Sequence, residues 1–180
     1  VIDKPSIVKR YELEAVKVKN LVDRKILRMS SEVVPTQKLE QETKKVLKDA
    51  NTTLYAGEQP ITIVQEGEAS CLAFANLCAC EPVIVIDERT TRMLAESPDN
   101  LRQVMERKFH AKMRMDDRKA KLFADYKIVR SAELLYVAYK KGLFDYKKDK
   151  QLLDALLYAV KYAGTAISSR EIAELESMAK

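Results

Sequence analysis

The chain has 180 residues, a length typical of one domain with a substantial hydrophobic core. Hydrophobic residues make up 47% and charged residues 33%, the proportions of a soluble globular protein. No apolar run approaches the ~20 residues that span a bilayer, and the start of the sequence lacks the pattern of a secretory signal. We therefore expect a cytoplasmic protein with a single domain over residues 1–180 and no membrane association.

Apolar periodicity predicts helices that alternate with short strands. In the first half, the pattern predicts a strand end at 1–3, a helix over 6–22, a strand at 26–29 or alternatively at 33–35, a helix over 36–48 and a loop over 51–60. Further along, it predicts strands at 61–64, 83–86 and 126–130 and helices over 68–80, 90–96, 132–141 and 151–163. A capping box from Ser168 to Glu171 opens the last helix. This order indicates an α/β fold with a parallel sheet.

The apolar run at 83–86 is β-branched throughout, which predicts a strand buried on both faces. Cys71, Cys78 and Cys80 all fall within the helix predicted over 68–80. We expect them to be small buried hydrophobic residues, because a disulfide is rare in a reducing compartment and a metal site would need a fourth ligand.

Several acidic residues stand where strands end or helices begin. Asp3 and Asp87 follow apolar strands, and Glu68 begins a helix after the strand at 61–64. In a parallel sheet these positions meet at one edge, and Glu40 or Glu42 on the second helix could lean over the same cleft. Such a cluster favours a hard cation, Mg²⁺ or Mn²⁺, which could activate water for attack on a phosphodiester.

Each acid also has a simpler interpretation. Glu68 could interact only with the helix dipole, and Asp87 could cap the helix that begins near Thr90. Glu40 and Glu42 could be surface residues that pair with neighbouring lysines.

Five segments together resemble the PIN-domain superfamily, especially its small archaeal and bacterial members. They are IDKPSIVKRY near the start, GEASCLAFA, VIVIDERTTRMLA, DYKIVRSAELLYVAYKKGLF and GTAISSREIAEL near the end. The resemblance implies a three-layer α/β/α sandwich with a central parallel sheet. It also implies a Mg²⁺- or Mn²⁺-dependent endoribonuclease, as in the toxins of toxin–antitoxin pairs. Asp3, Glu68 and Asp87 would be its metal ligands, and Glu42, in preference to Glu40, its second-helix acid.

Residues 97–124 are longer than the connection usual in that family, so we expect a helical insertion there. Over 98–124 the segment has eight Lys and Arg against four acids, most of the net charge of +5. We expect it to be mainly helical, to project from the sheet and to contact RNA phosphates. The candidate contacts are Arg102, Arg107, Lys108, Lys112, Arg114 and Arg118. A solvated helical hairpin and a surface for a partner helix are the alternatives.

Two other functions stay open at this stage. Pro5 stands where the PIN family has a hydroxyl side chain, which favours a catalytically silent module that binds RNA or a protein partner. That partner would be an antitoxin-like protein or a second copy of the chain. A phosphatase with a similar acidic edge is the weaker option, because the chain has no Asp-x-Asp nucleophile motif at a strand end.

Overall fold

The computed structural model of the protein describes residues 8–147 and 149–179. The strand end predicted at 1–3, together with Asp3 and Pro5, lies outside the described residues. The described helices are α1 (Glu12–Asp23), α2 (Thr36–Asn51), α3 (Glu66–Leu77), α4 (Arg89–Glu96), α5 (Pro98–Phe109), α6 (Asp117–Lys121), α7 (Ser131–Lys140), α8 (Lys150–Tyr162) and α9 (Ser169–Met178). The described strands are β1 (Leu54–Ala56), β2 (Gln59–Pro60), β3 (Val83–Val85), β4 (Met113–Met115) and β5 (Lys127–Val129). The molecule is therefore of mixed α/β class.

The strands form two small sheets. β1 lies between β2 and β4 in a three-stranded sheet in which both pairs are antiparallel. β3 and β5 pair in parallel, with Val85 opposite Val129. The parallel pairing of the strand predicted at 83–86 is confirmed. The prediction that both of its faces are buried is wrong, because Val83 and Val85 are exposed while Ile84 and Ile86 are buried.

The loop predicted at 51–60 is instead a tight hairpin. β1 and β2 are joined through Gly57, whose φ of +60° is a backbone conformation that glycine adopts without strain. Pro60 is tolerated in β2 because this strand is at the edge of its sheet and needs no further N–H donor.

The strand predicted at 61–64 is absent because a side chain binds the backbone there. Asn51, at the end of α2, accepts hydrogen bonds from the N–H groups of Ile63 and Val64 at 2.7 and 2.9 Å. Its amide nitrogen donates to the Val64 carbonyl at 2.9 Å. This single amide supplies the partners that a neighbouring strand would otherwise provide.

The strand predicted at 26–29 is also absent. α1 ends at Asp23, Lys25 adopts a left-handed conformation, and the N–H groups of Ile26 and Leu27 both bond back to the Leu21 carbonyl. The alternative at 33–35 is not a strand either, since a short 3₁₀ helix, Ser30–Glu32, leads directly towards α2.

The basic segment at 98–124 does not project from the fold. It contains α5 and α6, as predicted, but β4 lies between them and pairs with β1. Leu101, Met105 and Phe123 are buried in the larger of two hydrophobic cores. The prediction of a projecting helical arm is therefore wrong, because its apolar stripe packs into the core.

The smaller core lies among the three C-terminal helices. Buried residues of α7, α8, α9 and the connection before α9 form it: Ala132, Tyr139, Leu153, Leu157, Ile167 and Ile172. The capping box predicted for α9 is confirmed, since Glu171 N–H donates to Ser168 Oγ and the Glu171 carboxylate accepts from Ser168 N–H at 2.8 Å. Among the described residues, no helix has both the length and the apolar character needed to cross a membrane.

Candidate active site

Asp87 joins the ends of the two parallel strands. It lies two residues beyond the end of β3, and Ser131 lies at the matching place beyond β5. Asp87 Oδ1 accepts a hydrogen bond from Ser131 N–H at 2.9 Å, and Oδ2 accepts one from the Ser131 hydroxyl at 2.6 Å. The carboxylate therefore bonds to the N-terminus of α7, and each oxygen retains one lone pair for another ligand.

Glu88, rather than Asp87, caps α4. Its carboxylate accepts hydrogen bonds from Thr90 N–H at 2.9 Å and Thr91 N–H at 2.7 Å. Burial acts to raise the pKa of Glu88, but the hydrogen bonds from Thr90 and Thr91 outweigh it and hold that pKa below its usual value. The simpler interpretation of Asp87, as the cap of this helix, is therefore wrong.

Glu68 lies in the first turn of α3 and has a carboxylate oxygen to which no group in 8–147 or 149–179 donates. Its Oε2 atom is buried and makes no hydrogen bond to the described residues. A buried acceptor left without a donor costs about 1–3 kcal/mol, and more when it is charged. A cation at this oxygen would remove that cost, so the donor chemistry of Glu68 fits Mg²⁺ or Mn²⁺.

One hydrogen bond joins the start of α4 to the connection that precedes α3. The Thr90 hydroxyl donates to the Ile63 carbonyl at 2.7 Å. Ile63 precedes Glu68 by five residues, and Thr90 follows Asp87 by three. The bond therefore joins the segment that leads to Glu68 to the helix that follows Asp87.

Glu42, on α2, contacts the end of α3 that is far from Glu68. Its Oε1 accepts a hydrogen bond from Asn76 Nδ2 at 2.9 Å, and Lys45 Nζ lies 3.5 Å away. Asn76 is eight residues beyond Glu68, about 12 Å along a helix axis. The structure does not bring Glu42 together with Glu68, and Glu40 is exposed on α2.

No three His, Cys, Asp or Glu side chains within 8–147 and 149–179 are grouped so that they could hold a metal ion. Glu42, Glu68 and Asp87 therefore do not form such a group by themselves. Asp3, the third predicted ligand, lies outside these residues, so a set that includes it stays a prediction.

Arg130 was not predicted, and it connects three elements at this edge. Arg130 follows β5 and is largely buried. Its Nε atom donates to Glu133 Oε1 of α7 at 2.6 Å. Its Nη1 atom donates to Glu171 Oε1 of α9, also at 2.6 Å. It also donates to the Ala166 carbonyl at 3.2 Å. Burial acts to raise the pKa of Glu171, but hydrogen bonds from Ser168 and Arg130 lower it to about 2.

A basic cleft opens beside this ion-pair network. It has a volume of about 640 Å³ and includes Arg89 and Arg92 of α4, Lys161 of α8 and Glu171 of α9 in its lining. Glu171 is paired with Arg130, so the three cations exceed the acid charge that faces them. The strand-end reasoning that selected Asp87 could have found Arg130, the last residue of the strand predicted at 126–130, and Ser131, the residue after it.

The six basic residues predicted to contact RNA are spread over α5, β4 and α6 and the loops between them. Arg102 Nη2 donates to Asp99 Oδ1 at 3.0 Å, and Arg107 Nε donates to the Gln103 carbonyl at 3.3 Å. The Arg114 guanidinium lies over the Tyr55 ring, 4.4 Å from its centre. These three have partners within the fold.

The other three predicted RNA contacts, Lys108, Lys112 and Arg118, are exposed. Lys108 Nζ lies 5.7 Å from the centre of the Phe109 ring, and only the backbone N–H of Arg118 bonds to Asp116. Within the described residues, these three side chains form no hydrogen bond or ion pair.

No protein-family model, no curated protein and no solved structure matches this chain. The resemblance to the PIN superfamily therefore stays a prediction.

Proposed function

We propose that the protein is a Mg²⁺- or Mn²⁺-dependent endoribonuclease of PIN type, and that it acts in the cytoplasm. In this proposal the parallel pair β3–β5 belongs to the central sheet of a PIN-like α/β/α sandwich, and residues 97–124 are an insertion. The observation that supports it best is the buried Oε2 atom of Glu68, which makes no hydrogen bond within the part of the chain that the structure describes.

Glu68, Asp87 and Asp3 would hold the metal ion. The ion supplies Lewis-acid chemistry, activating water and stabilising the charge that develops on a phosphodiester under attack. The chain's own part is to fix the ligands. Ser131 holds the Asp87 carboxylate through two hydrogen bonds, so its orientation is set before any metal binds.

The basic cleft supports a polyanionic substrate. α4 begins directly after Asp87 and Glu88, so Arg89 and Arg92 lie within five residues of the proposed ligand. Arg130, which directly precedes Ser131, binds Glu171 at the start of α9, and Glu171 is part of the cleft lining. RNA phosphates in the cleft would therefore be near the proposed metal site.

The direct test is cleavage of a single-stranded RNA with Mn²⁺, Mg²⁺ or excess EDTA. We expect cleavage with either metal and none with EDTA. Glu68→Gln and Asp87→Asn should each abolish cleavage, while Glu42→Gln, the matched control on α2, should retain it. Intact RNA after incubation with folded wild-type protein and either metal would contradict the proposal.

A catalytically silent module that binds a protein partner is the second candidate. Exposed apolar residues on and before α1 favour it: Val8, Tyr11, Leu13 and Val16 are all about half exposed or more. Such a surface suits an antitoxin-like protein or a second copy of the chain. Light scattering of the wild type and of Leu13→Asp/Val16→Asp would test the homodimer, whose mass should fall to that of a monomer in the variant.

A further inference from the structure

The sequence predicted three buried cysteines, but Cys71 is exposed on α3, and Cys78 and Cys80 are not buried either. α3 ends at Leu77, so both cysteines follow the helix, with Cys80 exposed and Cys78 partly exposed. Their sulfur atoms lie 2.8 Å apart. The S–S bond of a disulfide is about 2.05 Å long, so small side-chain rotations would bring the two sulfur atoms to bonding distance.

Two features of the surroundings favour reaction with a small molecule. Cys80 lines a cavity of about 430 Å³, together with Asn76, Pro82 and Tyr126. The hydrogen bond between the thiols lowers the pKa of Cys78 and raises the pKa of Cys80, so Cys78 is the better source of a thiolate.

This site is separate from the proposed metal site. The cysteines precede β3, whereas Asp87 follows it, so the two sites are at opposite ends of the parallel pair. Neither Cys78 nor Cys80 has a part in the proposed hydrolysis.

We propose that Cys78 and Cys80 form a reversible redox dithiol that exchanges with low-molecular-weight disulfides of the glutathione class. The Cys78 thiolate attacks one sulfur of the small disulfide, which forms a mixed disulfide and releases one thiolate. Cys80 then loses its proton and attacks the Cys78 sulfur, which closes the Cys78–Cys80 bond and releases the second small thiol. The protein dithiol loses two electrons and two protons, and the small disulfide becomes two thiols.

A disulfide between residues separated only by Ala79 closes a small ring on an exposed loop. Strained or exposed disulfides have the more oxidising potentials and are the labile ones. We therefore expect the bond to form and break within the range of glutathione redox buffers.

The test uses the full chain, reduced and then equilibrated with glutathione and glutathione disulfide at a series of ratios. Remaining thiols are trapped with a maleimide and counted by intact mass, and peptide mapping locates the disulfide. We expect two thiols to be lost together while Cys71 stays alkylated. Doubling total glutathione at a fixed ratio should halve the ratio of oxidised to reduced protein, since one protein disulfide exchanges with two glutathione molecules.

Three serine variants make the assignment specific, with circular dichroism to verify folding. Cys71→Ser should behave as the wild type, whereas Cys78→Ser should lose the paired oxidation. Cys80→Ser should retain a mixed disulfide with glutathione at Cys78. Three alkylated thiols at every glutathione ratio, disulfide-linked dimers, or a bond that requires Cys71 would each overturn the proposal.

Discussion

Asp87 and Ser131 are joined by two hydrogen bonds, from the Ser131 N–H at 2.9 Å and from its hydroxyl at 2.6 Å. This contact fixes the end of β3 against the start of α7. Asp87 therefore has a structural role whether or not it binds a metal, and the two roles need variants that separate them.

Ser131→Ala and Asp87→Asn provide that separation. Ser131→Ala removes the hydroxyl bond but keeps the charge and the backbone N–H bond, so it should lower the free energy of unfolding by about 1 kcal/mol and weaken Mn²⁺ binding much less than Asp87→Asn does. Asp87→Asn removes the charge and should sharply weaken Mn²⁺ binding, measured by titration calorimetry. Equal Mn²⁺ affinity in both variants and the wild type would show that Asp87 is only structural.

Glu68→Gln should separate metal binding from stability. Since Oε2 is buried and accepts no hydrogen bond from the described residues, removal of its charge should leave the metal-free melting temperature unchanged or raise it. Mn²⁺ should raise the melting temperature of the wild type but not of the variant, because a ligand stabilises only a protein that binds it. A variant that is less stable without metal and equally stabilised by Mn²⁺ would contradict a ligand role.

Much of the helical structure could be predicted because it depends on local patterns. The capping box at Ser168 and the Glu-, Gln- and Lys-rich pattern of α2 are both readable from residues within a few positions of one another. The parallel pairing of β3 with β5 also followed from the alternation of helices and strands.

The features that sequence reasoning missed depend on distant contacts. Nothing near 61–64 indicates that Asn51 will bond to its backbone and take the place of a strand. The pairing of β4 with β1 joins residues almost sixty positions apart, so its short sequence was assigned to a helix. In the candidate site, strand ends indicated Asp87, but position along α2 alone could not show that Glu42 bonds to the far end of α3.

Arg130 should be the most sensitive residue of the ion-pair network. Arg130→Met leaves the carboxylates of Glu133 and Glu171 without their guanidinium partner. We expect the free energy of unfolding to fall by about 2 kcal/mol. This is less than for a fully buried pair, because both acids are partly exposed. Urea unfolding would measure it. Arg170→Met, which removes an exposed ion pair with Glu174, should change stability by under about 0.5 kcal/mol. Equal losses would show that the network contributes no more than a surface pair.

The basic segment should be tested by neutralising charge, because deletion would remove part of the core. Lys108, Lys112 and Arg118 are exposed, so their triple substitution by Gln should leave the fold intact. If they contact RNA phosphates, RNA affinity should fall in the variant. The plot of log affinity against log salt, which slopes downward, should become less steep by about 2. Fluorescence anisotropy at several salt concentrations would measure both.

The matched control for that triple variant substitutes Lys19, Lys44 and Lys48, which are exposed on α1 and α2. It makes the same change in net charge at a different surface. An equal decrease in slope for both variants would assign the effect to overall charge and not to a site on the segment.

Glu171 should make stability depend on pH in the acid range. Its pKa is about 2 in the folded protein against 4.5 for an ordinary glutamate, so the folded state favours the charged form. Its contribution is therefore present above about pH 4.5 and is lost as the pH falls towards 2. Glu171→Gln should be less stable than the wild type at pH 7, and urea unfolding should show this difference shrinking across that window. Glu174→Gln, on the same helix and more exposed, should show no such change, and a constant difference for Glu171→Gln would contradict the assignment.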